Sequence, residues 1–482
     1  MTILWLLAGF GFSTLTGLCL VGACWPRQLP RRSRWLAGSI AIGLGLGISS
    51  CSALVWRMWF WSMPWSFVFV DAVLLAGSVW LWRRRGRSQR RELATEPPSD
   101  PPVRAAAVDY ALAVILGLAI VAASVAMVQT CLRHPHGYDD AWAFWNVKAK
   151  FLFYGQQRWA DMFSPPLYHV DYPLLLPLNI ARLWCYQGSQ STQVPQVLAM
   201  LWPLLIVAVL VATMAVCQGV RSACLAGLVL LATRHLLTYS SWQYADAPLS
   251  LFMLTALGLT SLWCRWPQKG RSLLVLIGSS AGCAAWTKNE GLLFALVLFL
   301  ALSSVAAMSR RPLRPVLARY LLGLAPFLLV VLVMKLTYAG SSELFTDQTL
   351  PGLVARCTDW SRHHDIIMWT VRSVHHLPDA DRLGEVPILL PLLMLYALCA
   401  GITRSRADWQ ATVALGLTLL LMAAGYYTIY LIAHDNLTWH LRTSHGRLLM
   451  HLWPSAVLMI FMVLKAPRSC QRGQGSGRHC IN

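Results

Sequence analysis

The sequence predicts an all-α polytopic membrane protein, with about thirteen transmembrane helices and interfacial helices in its first large extracytoplasmic loop. Three observations lead there. The 482 residues are 57% hydrophobic and 12% charged, whereas a soluble chain carries about a quarter charged residues. Apolar runs recur that reach the roughly 20 residues needed to cross a bilayer. The basic residues are also one-sided. With the N-terminus placed outside, the segments assigned inside (24–34, 83–109, 218–221, 265–272, 309–319, 404–409 and 465–482) hold 25 Lys and Arg against 5 acids, and the rest of the chain holds 15 of each. The net charge of +20 is therefore a positive-inside signal, and nucleic acid is excluded as a partner. The expected setting is the inner (plasma) membrane, with the N-terminus outside and the C-terminus cytoplasmic.

Taken in order, the first apolar run, TILWLLAGFGFSTLTGLCLVGAC, lacks a basic leader and reads as a retained helix rather than a cleaved signal peptide. Together with runs near 35–56 and 61–82 it forms a three-helix block, residues 1–82. Residues 83–108 are expected to be a cytoplasmic linker, basic and then Pro-rich with nothing to bury. The body, 109–464, carries crossings near 109–129, 193–217, 222–242, 247–264, 273–289, 291–308, 317–338, 387–403, 410–432 and 447–464. Two long outer loops interrupt it, 130–192 and 339–386. In the first, WAFWNVKAKFLFYG predicts a helix along the membrane surface with Lys148 and Lys150 away from its apolar face. The run YPLLLPLNIARLWCYQG is short and holds Arg182, so it predicts an interfacial or re-entrant helix. The second loop is expected to contain an amphipathic helix around DIIMWTVRSVHHL, and the tail, 465–482, has a disordered composition. Most of the 13 Cys sit in apolar runs as small buried hydrophobes; Cys131, Cys185 and Cys357 fall outside, where sequence leaves a disulfide open.

With this topology, ionisable residues recur at one level, the outer face. Asp139 and Asp140 follow the fourth crossing. Asp246, in SSWQYADAPLSLF, lies at the next outer turn, and Lys288 and Glu290, in AAWTKNEGLLF, at the one after. Arg442 and Arg447, in WHLRTSHGRLLMHLWP, precede the last crossing. Acids there can accept a proton and cations can hold a phosphate. Each also has a purely structural reading. Asp246 is placed as a helix N-cap would be, Lys288 and Glu290 can pair with each other, the two Arg can snorkel, and Asp139–Asp140 can be a solvated turn after Gly137. The Trp142 and Trp145 neighbours of that pair favour a proton-transfer role. Most of the 13 His fall in outer segments and read as interfacial polar groups. His169 stands apart, because HVDYPLLLPL sets it beside Asp171 and a Pro-bounded apolar helix. No HxxxH pair with nearby acids occurs, and a divalent metal is left open.

The order of these motifs resembles the glycosyltransferase C superfamily. The shared points are an acid motif in the first outer loop, a YADAPL-like turn, a TK-x-E-G turn and a late Arg–Leu–Leu…Pro segment. The nearest groups are bacterial relatives of protein O-mannosyltransferases and of lipid A aminoarabinose transferases. The resemblance covers roughly residues 109–464; the three N-terminal helices have no counterpart. It implies a polyprenyl-phosphate sugar donor and a lipid, glycan or protein acceptor. It implies a general base at Asp140 or Asp139, with Asp140 favoured, a second acidic position at Asp246, and donor-phosphate contacts at Lys288, Arg442 and Arg447. Glu290, His169 and Asp171 complete the candidate site. The sequence reading itself supplies an alternative, a transporter or flippase of lipid-linked saccharides, which would place charges along a path through the membrane.

Overall fold

The computed structural model describes residues 2–60, 66–92, 107–164, 167–340, 348–375, 389–402, 405–433 and 436–465. It is helical, and no strand occurs among the described residues. The N-terminal block is α1 (Thr2–Cys24), α2 (Ser33–Trp59) and α3 (Ser66–Glu92), and α4 (Ala107–Arg133) opens the body. The first long loop holds a π-helical turn, Ala141–Trp145, then α5 (Asn146–Tyr154), a 3₁₀ turn Gln156–Phe163, and α6 (Leu175–Gln187). Then come α7 (Gln193–Cys217), α8 (Val220–Leu231), α9 (Arg234–Ser241), α10 (Asp246–Arg265), α11 (Leu273–Thr287), α12 (Asn289–Met308) and α13 (Leu313–Thr337). The second loop holds α14 (Leu350–Thr358) and α15 (Trp360–His375), and α16 (Leu389–Ala400), α17 (Arg406–Ile432) and α18 (Leu437–Val463) close the chain.

Ten of these helices are long and apolar enough to cross a membrane, and α8 with α9, bent by 60°, forms an eleventh at most. The protein is therefore a multi-pass membrane protein. Each expected crossing falls on a helix or on the bent pair. However, α11 has 15 residues, short of the roughly 20 that span a bilayer, and only 12 residues of α16 lie among the described ones. Residues 93–106 of the expected linker and 466–482 of the expected tail lie outside the described residues, while α3 stays helical to Glu92.

The core forms around α10, which is buried along its whole length and packs against α7, α11, α17 and α18. Its sequence explains this: it is apolar all round, Ser250 donates across to Met450 O and His451 O of α18 at 3.3 Å, and two further hydroxyls are satisfied within the helix. Thr260 donates to Ala256 O at 2.8 Å and Ser261 to Leu257 O at 3.0 Å. The N-terminal block is fastened to the body. A Cβ on Gly17 would lie 1.9 Å from Ala41 O, and one on Gly45 1.9 Å from Ser13 O, so α1 and α2 cross with their backbones nearly touching, as small residues permit in membranes. Buried Arg182 of α6 then donates to Asp71 of α3 at 2.7 Å and to Gly9 O of α1 at 2.9 Å, while Tyr186 donates to Asp71 at 2.6 Å.

The two ends of α10 mark two charged layers. Near its last residue, Arg265 pairs with Asp408 at 3.0 Å and Arg311 donates to Gln410 at 2.8 Å; Arg221 pairs with Asp109 at 2.5 Å. Its first residue is Asp246. Twenty helical residues separate the layers by about 30 Å, the thickness of a bilayer core.

Candidate functional site

Asp246 is fully buried and is the hub of the layer at the start of α10. It is not the N-cap: that position is Ala245, and no side chain caps the helix. Its carboxylate faces three partners instead. Oδ1 accepts from Lys288 Nζ at 2.8 Å and contacts His451 Nε2 at 2.6 Å; Oδ2 accepts from Arg447 Nε at 3.0 Å. Arg447 also donates through Nη1 to Asp140 Oδ2, so one guanidinium bridges the acid of the first loop and the acid of α10. Lys288 pairs in addition with Glu290 at 3.1 Å. Counting His451 as neutral, three carboxylates (Asp140, Asp246, Glu290) face two cations, and the cluster holds one negative charge in excess.

Local sequence places each group. Arg447 and His451 are four residues apart on α18 and share a face. Lys288 sits in the extended break between α11 and α12, with φ −152° and ψ 161°. The reversal is tight because a Cβ on Gly291 would lie 1.9 Å from Ala284 O, and this turns Lys288 inward. Asp246 and Glu290 give the buried Lys288 ammonium its counter-charges. Asp140 is delivered by the first loop, which is bolted to the α9–α10 turn. There Tyr138 stacks on Trp242 with centroids 4.5 Å apart, and Asn146 Nδ2 donates to Gln243 Oε1 at 3.0 Å. The π-helical turn that begins after Asp140 is a rare form that frequently occurs at functional sites. Tyr244 lines the same corner, its ring 4.6 Å from the Arg447 guanidinium. Burial and then the Asp140 carboxylate push its hydroxyl up.

A second ionic group adjoins this one. Asp171 accepts from Asn289 Nδ2 at 2.7 Å and faces Lys335 at 3.5 Å. His169, at φ +52°, stacks on Tyr172 with centroids 4.7 Å apart, and its carbonyl accepts from Lys148 at 2.5 Å. The Tyr172 ring lies 5.8 Å from Lys288 Nζ, which joins the two groups.

The structure thus brings together Asp140, Asp246, Lys288, Glu290 and Arg447, with Asp171 and His169 beside them. Asp139 is exposed, and Arg442, five residues from Arg447, is exposed on another face of α18; neither enters the cluster. Lys288 is buried behind Asp246, with 4% of its side chain exposed against 15% for Arg447. The expectation that Lys148 shares an outward face with Lys150 is corrected, since Lys148 is fully buried; residues two apart on a helix do not share a face. Sequence reasoning passed over His451, although its i, i+4 relation to Arg447 was a signal. It had no signal for Asn289. Among the described residues no three His, Cys, Asp or Glu side chains converge as a metal site, and every Cys there is a free thiol. Comparison with protein-family models, curated proteins and solved structures gives no match, so the chemistry is read from this geometry.

Proposed function

We propose that the protein is a membrane glycosyltransferase. It moves a sugar from a polyprenyl-phosphate-linked donor to a lipid, glycan or protein acceptor at the extracytoplasmic face, with inversion. The observation that carries this reading is the Arg447 bridge between Asp140 and buried Asp246. A sugar transfer of this kind needs a base for the acceptor hydroxyl and a cation for the phosphate it displaces, side by side. Asp140 takes the hydroxyl proton as the oxygen attacks the anomeric carbon. The bond from that carbon to the phosphate oxygen breaks, and Arg447, the more exposed cation, holds the departing polyprenyl phosphate. Asp246, Lys288 and His451 fix Arg447 in place, so its orientation is prepared before the donor arrives. In this reading the chain makes thirteen crossings, counting α8–α9 as one and including α11 and α16. Its N-terminus is outside and its C-terminus cytoplasmic, in the plasma membrane.

The two-layer arrangement favours transfer over transport. A conduit places ionisable groups along its length, whereas, apart from the Arg182–Asp71 pair that fastens the N-terminal block, the ion pairs described for the body gather near the two ends of α10. The test supplies purified protein in lipid nanodiscs with either a polyprenyl-phosphate sugar or a nucleotide sugar, plus a panel of acceptors. Transfer from the lipid-linked donor is expected; transfer from the nucleotide sugar alone overturns the reading.

A further inference from the structure

The two groups that a transfer needs are bonded to each other in the resting site. Among the described residues, the Asp140 carboxylate has Arg447 as its one side-chain partner, and it occupies Arg447 Nη1. The two halves of the Arg447 bridge are unequal. The Asp246 side chain is 0% exposed and also holds Lys288 at 2.8 Å and His451 at 2.6 Å. The Asp140 side chain is 25% exposed and has no second partner among the described residues. An ion pair open to water is weak, whereas a carboxylate buried with three partners is costly to strip. An anion that competes for Arg447 therefore displaces Asp140 and leaves Asp246 in place. Arg447 is within reach of such an anion, with 15% of its side chain exposed. Its Nη2 makes no hydrogen bond among the described residues, yet it is not sealed from solvent. A phosphate binds a guanidinium best through two parallel N–H groups. Asp246 holds Nε, so the fork on offer is Nη2 with Nη1, where the phosphate meets the Asp140 carboxylate. Two anions then repel each other on one guanidinium, in a cluster that already carries one negative charge in excess.

We propose that the Asp140–Arg447 contact is a latch that the donor's phosphate opens. Resting on the transferase reading, the lipid-linked phosphate takes the Nη1–Nη2 fork of Arg447 and frees the Asp140 carboxylate to face the acceptor hydroxyl. The loop itself stays in place. Its backbone is fixed on both sides of Asp140, by Tyr138 stacked on Trp242 at 4.5 Å and by Asn146 Nδ2 donating to Gln243 Oε1 at 3.0 Å. Rotation of one side chain is enough to open the latch. A carboxylate that trades a guanidinium for an anionic neighbour also takes up a proton more readily. That proton comes from the acceptor hydroxyl, and once it sits on Asp140 the repulsion from the phosphate is relieved. The base is thus competent only when the donor is seated, and the substrates are ordered, donor first and acceptor second.

The test reads binding rather than turnover. Full-length protein in detergent micelles is titrated with geranylgeranyl phosphate by native mass spectrometry, with geranylgeraniol as the control for the tail alone. Asp140→Asn and Asp140→Ala are each expected to bind the phosphate about fivefold more tightly than the parent, because they remove its competitor for Arg447. Asp139→Asn removes the same charge from an exposed neighbour outside the cluster and leaves the affinity unchanged. In an Arg447→Met background, Asp140→Asn has no effect, since the contested group is gone. With a quarter of the Asp140 side chain exposed, its replacement leaves the fold intact, which equal melting of parent and variants checks. Unchanged or weaker phosphate binding in the Asp140 variants overturns the proposal. So does equal tightening in Asp139→Asn, tightening that persists without Arg447, or a parent that does not prefer the phosphate to the alcohol. Transfer by the parent from a lipid-linked donor, without tightening in the variants, removes the latch and keeps the transferase reading. Tightening in the variants, with no transfer by the parent from any lipid-linked donor, keeps the contest for Arg447 and removes the transferase reading.

Discussion

Arg447→Met isolates the bridge. Methionine keeps most of the side-chain volume and its apolar stem but removes the fork, leaving Asp140, Asp246 and Glu290 opposite Lys288 alone. Removing one partner of a buried pair costs about 3–5 kcal/mol. The Asp246 half of the bridge falls at the low end, about 3 kcal/mol, because Lys288 and His451 still face that carboxylate. The Asp140 half adds no more than about 1 kcal/mol, since a quarter of that side chain is exposed and screened. Arg447→Lys restores the charge, but one ammonium cannot span two carboxylates as a guanidinium does, so it recovers about half of the loss. Thermal unfolding in detergent, followed by the fluorescence of the 23 Trp at one scan rate, ranks the three proteins parent, Lys, Met. Identical melting of parent and Met variant would refute the assignment of Arg447 as the link between the loop and α10.

Asp140→Asn should leave insertion intact and reduce transfer by roughly a hundredfold to ten-thousandfold, whereas exposed Asp139→Asn should change it little; steady-state transfer rates distinguish the two. Asp71→Asn leaves Arg182 buried without its counter-charge and should cost about 3–5 kcal/mol, seen as an earlier melt and as greater proteolysis between the N-terminal block and the body. A reporter fused after Arg91 should read cytoplasmic and one inserted near Gly155 extracytoplasmic, and the reverse pattern inverts the topology on which the donor assignment depends.

Ten of the expected spans, and an eleventh as the bent α8–α9 pair, were legible together with the common level of the clustered charges, because both depend on local composition. Apolar runs mark helices, and the turns that hold Asp246 and Lys288 follow from where those runs end. Which side chains meet across helices was less legible. The sequence offered Glu290, two residues away, as the partner of Lys288; the fold adds Asp246, because the Gly291 reversal points Lys288 toward the start of α10. Asp71 and Arg182 were each visible as charges in apolar runs, but 111 positions separate them, and only the packing of α6 against the N-terminal block makes them a pair. Arg442 and Arg447 looked equivalent in a linear motif, and the helical phase of α18 separates them.

The most direct measurement is a cryo-EM map of the protein bound to a non-transferable polyprenyl phosphonate analogue of the donor. The account predicts phosphonate density within hydrogen-bond distance of Arg447, beside Asp140, with the polyprenyl chain running along a lipid-facing surface from that end of α10. Phosphonate density in the opposite charged layer, near Arg221 or Arg265, would contradict it.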